Sequence, residues 1–218
     1  MRTSGFARWA ALSGALFVAL WVAAFLVLGD TVEDSDPDAQ ILAYFADKGQ
    51  RDREFITLVL LVAASLPFIV FLSVLRERLE HGEGGAGVWT MAAFAAGLLS
   101  TALWAVAAAL FVVPSLNTGA NGEFKFDMDT FNVFAGAGFI VWSSAGMITS
   151  VLVLATSVLG IRAGVIPRWL SWLGFAVALS LLASFLVIPV IFLLAWLLMV
   201  SIALVWRRDI SEAPAATA

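Results

Sequence analysis

The sequence of 218 residues contains no cysteine and a single histidine, His81. Without cysteine there are no disulfides, thiolate metal sites or cysteine nucleophiles. A lone histidine without a second histidine as partner also argues against a metal centre or a catalytic triad. The chain carries no nucleophile elbow, phosphate-binding loop or dinucleotide fingerprint. We therefore predict no catalytic residue, no cofactor and no metal site, and expect a non-enzymatic protein.

Charged residues are also scarce, at 13% of the chain, whereas soluble domains carry about a quarter. The net charge is −4 and no basic patch is present, which argues against nucleic acid as a partner. A helix needs about 20 apolar residues to cross a bilayer. Five uncharged stretches reach that length, namely 9–29, 55–75, 88–113, 131–161 and 169–206. The sequence thus predicts an all-α integral membrane protein, with the lipid bilayer as its main partner.

The fifth stretch is too long for one span. As a single helix it would be roughly 57 Å long, nearly twice the hydrocarbon thickness of about 30 Å. Proline interrupts a helix and disfavours helix at the residue before it, so we predict a tight turn at Ile188–Pro189. The first stretch exceeds the apolar core of a secretory signal, about 7–15 residues, and is read as a retained span. The result is a polytopic bundle of six spans in three antiparallel hairpins, with boundaries near 9–29, 55–75, 88–113, 131–159, 169–187 and 190–206.

The distribution of basic residues sets the orientation. With six spans and a cytoplasmic N-terminus, Lys48, Arg51, Arg53 and Lys125 lie outside. A five-span arrangement moves Arg207 and Arg208 outside and removes the asymmetry that the positive-inside rule expects. The six-span arrangement keeps both termini in the cytoplasm. Its inner basic residues are Arg2, Arg8, Arg76, Arg78, Arg162, Arg168, Arg207 and Arg208.

The outer loop at 30–54 is predicted to contain a short amphipathic helix at 37–48. Asp36 is its expected N-cap, with Pro37 at the first position, Lys48 in the last turn and Gly49 just beyond. We expect this helix to lie flat on the outer membrane surface or over the mouth of the bundle. Its apolar face contains Ile41, Leu42, Tyr44, Phe45 and Ala46.

On the inner side, the second span is predicted to continue as helix beyond the membrane. Its i,i+4 pairs would be Arg76 with Glu80 and Glu77 with His81. A flexible glycine-rich linker follows. The tail at 209–218 is rich in alanine and proline and is expected to be disordered.

Two sets of span residues are candidates for contacts. One set is a candidate pocket for an apolar ligand or lipid, formed by Trp104, Asn132, Trp142 and Ser143. Trp21, Ser144 and Trp196 are considered with them. Ordinary packed or lipid-facing aromatics would give the same pattern. Small residues at four-residue spacing form a candidate helix-packing or dimer face, because they let helices approach closely. Its main members are Ala93, Gly97, Gly146 and Ser150.

The acidic residues of the outer loops do not match an EF-hand, which needs a glycine and a bidentate glutamate at fixed positions. They are interpreted as solvated residues and helix caps. A membrane-embedded enzyme would have to draw its catalytic groups from this set, Asp127 and Asp129 in particular. The residues concerned are Asp30, Glu33, Asp34, Asp36, Asp38, Glu123, Asp127 and Asp129.

Three segments resemble a group of small bacterial membrane proteins, the six-helix proteins of unknown function frequent in actinobacteria. They read Gly160-Ile-Arg-Ala-Gly-Val-Ile-Pro-Arg-Trp-Leu-Ser-Trp-Leu-Gly174, Ala39-Gln-Ile-Leu-Ala-Tyr-Phe-Ala-Asp-Lys-Gly49 and Phe71-Leu-Ser-Val-Leu-Arg-Glu-Arg-Leu79, and the hairpin ending Ser201-Ile-Ala-Leu-Val-Trp-Arg-Arg208 adds to them. The resemblance implies the same fold and a bacterial inner-membrane location. It implies no activity, cofactor or catalytic residue.

The predicted spans contain no Asp, Glu, Lys, Arg or His. Such residues mark proton relays and ion pathways inside membranes, so a proton-coupled transporter lacks its usual groups. Our leading hypothesis is an accessory subunit, a sensor, or a bundle that binds lipid or an apolar ligand, with a protein partner or a second copy of the chain as further candidates. The alternative is a small oligomeric transporter or permease for an uncharged substrate.

Overall fold

The computed structural model describes residues 12–32, 36–85, 87–117, 124–186 and 188–206. The predicted disordered tail at 209–218 lies outside these ranges, as do Glu33, Asp34 and Glu123. The described residues form seven α-helices. They are α1 (Ser13–Leu28), α2 (Asp38–Ala46), α3 (Lys48–Glu83), α4 (Val88–Leu116), α5 (Met128–Ala163), α6 (Arg168–Leu181) and α7 (Ile188–Trp206).

Four of these helices, α3, α4, α5 and α7, are long and apolar enough to cross a membrane. The all-α fold and the membrane class predicted from the sequence are thereby confirmed. Helices α1 and α6 are apolar but shorter, with 16 and 14 residues. The count of six spans stays a prediction. Helices α3 and α5 have 36 residues each, or about 54 Å, so their ends extend beyond a hydrocarbon layer of about 30 Å.

Six of the helices pack in a ring in chain order, with α2 outside it. Neighbours along the chain contact each other from α3 to α7, and α1 packs against both α3 and α7. Close approaches show that α1 and α3 are antiparallel: Gly14 meets Phe71 at one end, and Thr57 donates to the carbonyl of Ala24 at the other. One continuous buried core of apolar side chains links these helices.

The break between α6 and α7 lies earlier than predicted. Residues 182–186 form tight turns in which the N–H groups of Leu182, Ala183 and Ser184 each bond the carbonyl three residues back. Pro189 stands in the first turn of α7 and does not form the break. Proline is tolerated there because first-turn N–H groups have no partner within the helix.

The outer helix is shorter than predicted. It begins at Asp38 and ends at Ala46, and its N-cap position is Pro37, so Asp36 is not the cap that we expected. Lys48 and Gly49 belong to the next helix. Asp47 separates the two helices and caps α3, because its carboxylate accepts the N–H of Gly49 at 2.7 Å.

The inner connection between α3 and α4 is tighter than a flexible linker. Helix α3 runs to Glu83, and Gly84 ends it with a left-handed φ of 82°. The Glu83 carboxylate accepts the N–H and hydroxyl of Thr90, at 2.9 and 2.8 Å, and the N–H of Trp89. It therefore caps α4 from across the glycines. Of the predicted pairs, Arg76 bonds Glu80 at 2.7 Å, whereas His81 contacts the carbonyl of Glu77 and not its carboxylate.

Candidate functional site

Three tryptophans from three helices meet inside the ring. The ring centroid of Trp21 lies 5.0 Å from that of Trp104 and 5.6 Å from that of Trp142, and the latter two are 6.3 Å apart. Phe25, one turn outward on α1, reaches Trp142 at 6.5 Å. Such offset and edge-on contacts stabilise aromatic pairs beyond the area that they bury. We call Trp21, Trp104 and Trp142 the tryptophan cluster.

The tryptophan cluster carries an unused hydrogen-bond donor. Trp104 is 4% exposed, and its indole N–H has no hydrogen-bond partner among the described residues. A buried N–H without a partner is costly in an apolar environment. This N–H is the donor of the tryptophan cluster that an acceptor such as an ester or carbonyl oxygen would satisfy.

The structure brings together only part of the candidate pocket. Trp104 and Trp142 are in contact, and Ser143 follows Trp142 on α5. The backbone carbonyl of Ser143 accepts the hydroxyl of Ser184 at 2.7 Å. Asn132 is exposed and lies ten residues before Trp142, about 15 Å away along the helix.

Two residues considered with the pocket lie elsewhere. Trp196 is fully buried between α6 and α7, where its indole N–H donates to the carbonyl of Leu170 at 3.0 Å. The Ser144 hydroxyl bonds back to the carbonyl of Ile140 within α5. Neither residue adds a free polar group to the tryptophan cluster.

The candidate helix-packing face is divided between two contacts within the chain. Gly97 of α4 approaches Leu72 of α3, next to the buried Ala93. Gly146 of α5 approaches Ser184 in the turn after α6, and the Ser150 hydroxyl bonds the carbonyl of Met147. The two glycines thus serve close approach within one chain. The dimer face stays a prediction.

A second cluster covers the outer end of the bundle. Ile41, Tyr44 and Phe45 of α2 are buried, and the Phe45 ring stacks on Phe126 at 4.8 Å and meets Phe131 at 5.5 Å. The apolar face of α2 therefore packs on the segment leading into α5. We call α2 together with residues 124–131 the outer cap. Phe124, Phe126 and Met128 alternate with polar residues, and their packing on α2 was not predicted.

The Arg51 side chain stabilises the outer cap by contacts with both of its parts. Its guanidinium donates to the carbonyls of Phe45 and Ala46 at the end of α2, and it lies 3.9 Å from the centre of the Phe124 ring. A cation beside the C-terminal carbonyls of a helix is favoured by the helix dipole. The contact with the ring adds a cation–π interaction. One side chain thus joins α2, α3 and the segment before α5.

Beneath the outer cap lies a polar group of three residues. Glu54, immediately before the apolar run of α3, accepts the hydroxyl of Ser115 on α4. Burial raises the pKa of the Glu54 carboxyl, and the bond from Ser115 partly offsets that effect. The Tyr44 hydroxyl makes no standard hydrogen bond among the described residues. Its pKa is nevertheless raised, first by burial and then by the nearby Glu54 charge.

Of the acidic residues considered in the outer loops, Asp127 acts as a helix cap. Asp127 accepts the N–H of Thr130 at 3.0 Å and also its hydroxyl, and so caps α5. The Thr130 hydroxyl and N–H hold the pKa of Asp127 below its usual value. Within the described ranges, no group of three His, Asp or Glu side chains is arranged to hold a metal ion.

Comparisons with protein-family models, with curated proteins and with solved structures each found no match to this chain.

Proposed function

We propose that the protein is a non-enzymatic integral membrane protein that binds lipid or another apolar ligand at the tryptophan cluster. The supporting observation is the meeting of Trp21, Trp104 and Trp142 with an unpartnered N–H on Trp104. Aromatic surfaces with one well-placed polar group are typical of sites for apolar ligands. Ligand occupancy at this cluster would suit an accessory subunit or a sensor.

The proposal includes a location and an orientation. The chain sits in a bacterial inner membrane with both termini in the cytoplasm, as the eight inner and four outer basic residues of the six-span arrangement favour. Helices α1, α3, α4 and α5 cross the bilayer. Helices α6 and α7 form the third pair, which enters the membrane from the inner side and returns to that side. The outer cap then faces the outside.

Ligand retention tests the site. The protein is purified in mild detergent after expression in bacteria, and its bound lipids are extracted and quantified by mass spectrometry. Trp104→Phe keeps most of the ring but removes the N–H, and we expect it to retain less of the ligand that the wild type carries. Trp172→Phe is the matched control, because Trp172 is 67% exposed on α6. Equal retention in both variants and the wild type would remove Trp104 from the site.

Flux measurements separate this function from the alternative of a transporter for an uncharged substrate. Vesicles containing the protein are loaded with uncharged solutes, and their release is compared with that from protein-free vesicles. The spans carry no ionisable residue, so no coupled transport is expected. Reproducible flux that depends on the protein would overturn the proposal.

A further inference from the structure

The turn between α6 and α7 meets the middle of α5. The Ser184 hydroxyl donates to the carbonyl of Ser143, and Ser184 also lies against Gly146. Helix α5 runs from Met128 to Ala163, so both contacts fall near its midpoint. Further inward, Gly160 of α5 meets Ser171 and Ser157 meets Gly174. Helix α6 therefore runs antiparallel to the inner half of α5 and stops there.

The outer boundary of the membrane lies well beyond this turn. We place this boundary at the level of Glu54, the last charged residue before the apolar run of α3, whose carboxylate accepts the hydroxyl of Ser115 on α4. One turn inward on α4, Phe111 packs against Gly138 of α5. From Gly138 to Ser143 is five further residues inward. The step from Ser115 to Phe111 on α4 and the step from Gly138 to Ser143 on α5 add up to nine residues. The turn therefore lies about 13 Å below the level of Glu54, which is nearly half the hydrocarbon thickness of about 30 Å.

Beyond the turn, the face of α5 that packs on α6 is uncovered. Phe139, seven residues outward from Gly146, lies on that face and is 46% exposed. Gly136 borders the face one turn inward of Asn132, and no heavy atom of the described residues lies within 4 Å of a Cβ placed on it. A Cβ on Gly146 or Gly160, by contrast, would collide with Ser184 or Ser171. Asn132 is exposed at its outer end.

Helix α1 forms the opposite wall. Its contact with α5 is made by long aromatic side chains, with Trp21 and Phe25 reaching Trp142 at 5.6 and 6.5 Å. Farther inward, α6 and α7 fill the space between the two helices and close the ring. At the outer ends of α6 and α7, no helix occupies the space between α1 and α5. The outer halves of α1 and α5 therefore flank a cleft whose floor is the turn.

We propose that this cleft binds one acyl chain of an outer-leaflet phospholipid, with the polar headgroup region near Asn132. This inference rests on the proposed function and assigns it a ligand class. The inner part of the cleft is apolar, with Phe139, Phe25 and Trp142 along its walls, whereas its outer end carries an amide. Apolar space at this depth is not filled by water. A chain with a polar end matches this distribution.

The turn itself suits a position inside the bilayer. Non-helical backbone is tolerated at membrane depth only where its polar groups are satisfied and protein covers it. The N–H groups of residues 182–184 and 186 bond carbonyls three residues back, and Ser184 is 1% exposed. The exposed side chains here are Leu182, Phe185 and Leu186, which suit contact with an acyl chain.

Photocrosslinking tests the site directly. The full chain is reconstituted in vesicles of phosphatidylglycerol that carry a diazirine in the middle of one acyl chain, and adducts are mapped by mass spectrometry. We expect adducts at Phe139, Ser143 and Phe185. Gly136→Phe fills the cleft and should remove most of the adducts at Ser143 and Phe185. Val106→Phe is the matched control, because Val106 is 48% exposed on α4, which does not line the cleft, and it should leave them unchanged.

Two outcomes would overturn the inference. One is an adduct pattern at Ser143 and Phe185 that Gly136→Phe and Val106→Phe alter equally. The other is labelling of Phe185→Cys from the outside by a membrane-impermeant maleimide, because the turn would then reach the outer surface. Either result leaves ligand retention at Trp104 intact. Solute flux with an unchanged adduct pattern would instead overturn the proposed function alone.

Discussion

The indole N–H of Trp196 donates a hydrogen bond to the backbone carbonyl of Leu170, 3.0 Å away, and both residues are fully buried. This bond joins α7 to α6 near the inner end of the pair. Ser184 joins the outer end of the pair to Ser143 of α5. Two polar side chains inside an otherwise apolar region thus fix how the last pair of helices sits on the bundle.

Replacing Trp196 with phenylalanine should loosen this pair. The change removes the donor and part of the ring volume, and we expect a loss of at least about 1 kcal/mol in the free energy of unfolding. Denaturation with sodium dodecyl sulfate in mixed micelles measures it. Trp206→Phe, at an 82% exposed position on the same helix, should have no comparable effect. Equal stability of the Trp196 variant and the wild type would contradict the assigned role of the bond.

The contact between α5 and α6 requires glycine at 174. A methyl group there would collide with the Ser157 hydroxyl and lie 3.0 Å from the Trp196 nitrogen. We expect Gly174→Ala to cost about 1–3 kcal/mol. Gly136→Ala is the paired control, because the space around Gly136 is open and alanine favours helix by up to about 1 kcal/mol. In the same denaturation assay, Gly174→Ala should be less stable than the wild type and Gly136→Ala should be more stable.

Glu54 should make stability depend on pH. Burial raises the pKa of its carboxyl in the folded protein above its ordinary value of 4.5, so the folded state binds the proton more tightly than the unfolded one. Stability is then greatest at low pH from this group and falls as the pH rises through the window above 4.5. We expect Glu54→Gln to be more stable than the wild type at neutral pH and to lack this slope. A steeper slope in the variant would contradict the assignment.

Ser115 provides the complementary variant. Its hydroxyl bonds the Glu54 carboxylate and partly offsets the cost of burying that charge. Ser115→Ala should therefore raise the pKa of Glu54 further and reduce stability at neutral pH. Unfolding measured across the same pH range, together with the double variant carrying Glu54→Gln, tests this coupling. The loss caused by Ser115→Ala should be smaller when residue 54 is glutamine.

The orientation can be tested by cysteine labelling, because the chain has no native cysteine. Single cysteines at Gln50 and Ala120 should react with an impermeant maleimide only from outside. Those at Gly84 and Gly164 should react only from inside. Cysteine at Glu212 is expected to be accessible from inside, and labelling of it from outside would overturn the return of α6 and α7 to the inner side.

Hydropathy predicted the helical class and the positions of most helices, because long uncharged stretches have few other structural solutions. It could not locate the end of α6. The N–H groups of residues 182–184 and 186 bond carbonyls three residues back, so the turn needs no glycine or proline that a sequence would display. Pro189, the visible helix breaker, sits where proline costs little, in the first turn of α7.

The candidate site was predicted in part. Tryptophans away from the inner helix ends indicated an aromatic cluster, and Trp104 and Trp142 do meet. Which tryptophans meet depends on helix rotation and register, and single-sequence patterns do not fix these. Trp196 was considered with them, but its indole N–H bonds the carbonyl of Leu170 and so joins α7 to α6. The apolar face of α2 was predicted, but its packing on Phe124 and Phe126 was not, because these two residues lie in a segment without a helical period.

The bond from Glu83 to Thr90 spans only seven residues, yet it closes the connection between two long helices. Contacts this local cost little chain entropy to form. Helices α3 and α4 should therefore pair soon after the chain between them is synthesised, before α5 has been made. Glu83→Ala would then delay insertion of the protein into the membrane more than it weakens the finished bundle, and the earliest step of assembly would be set by this connection.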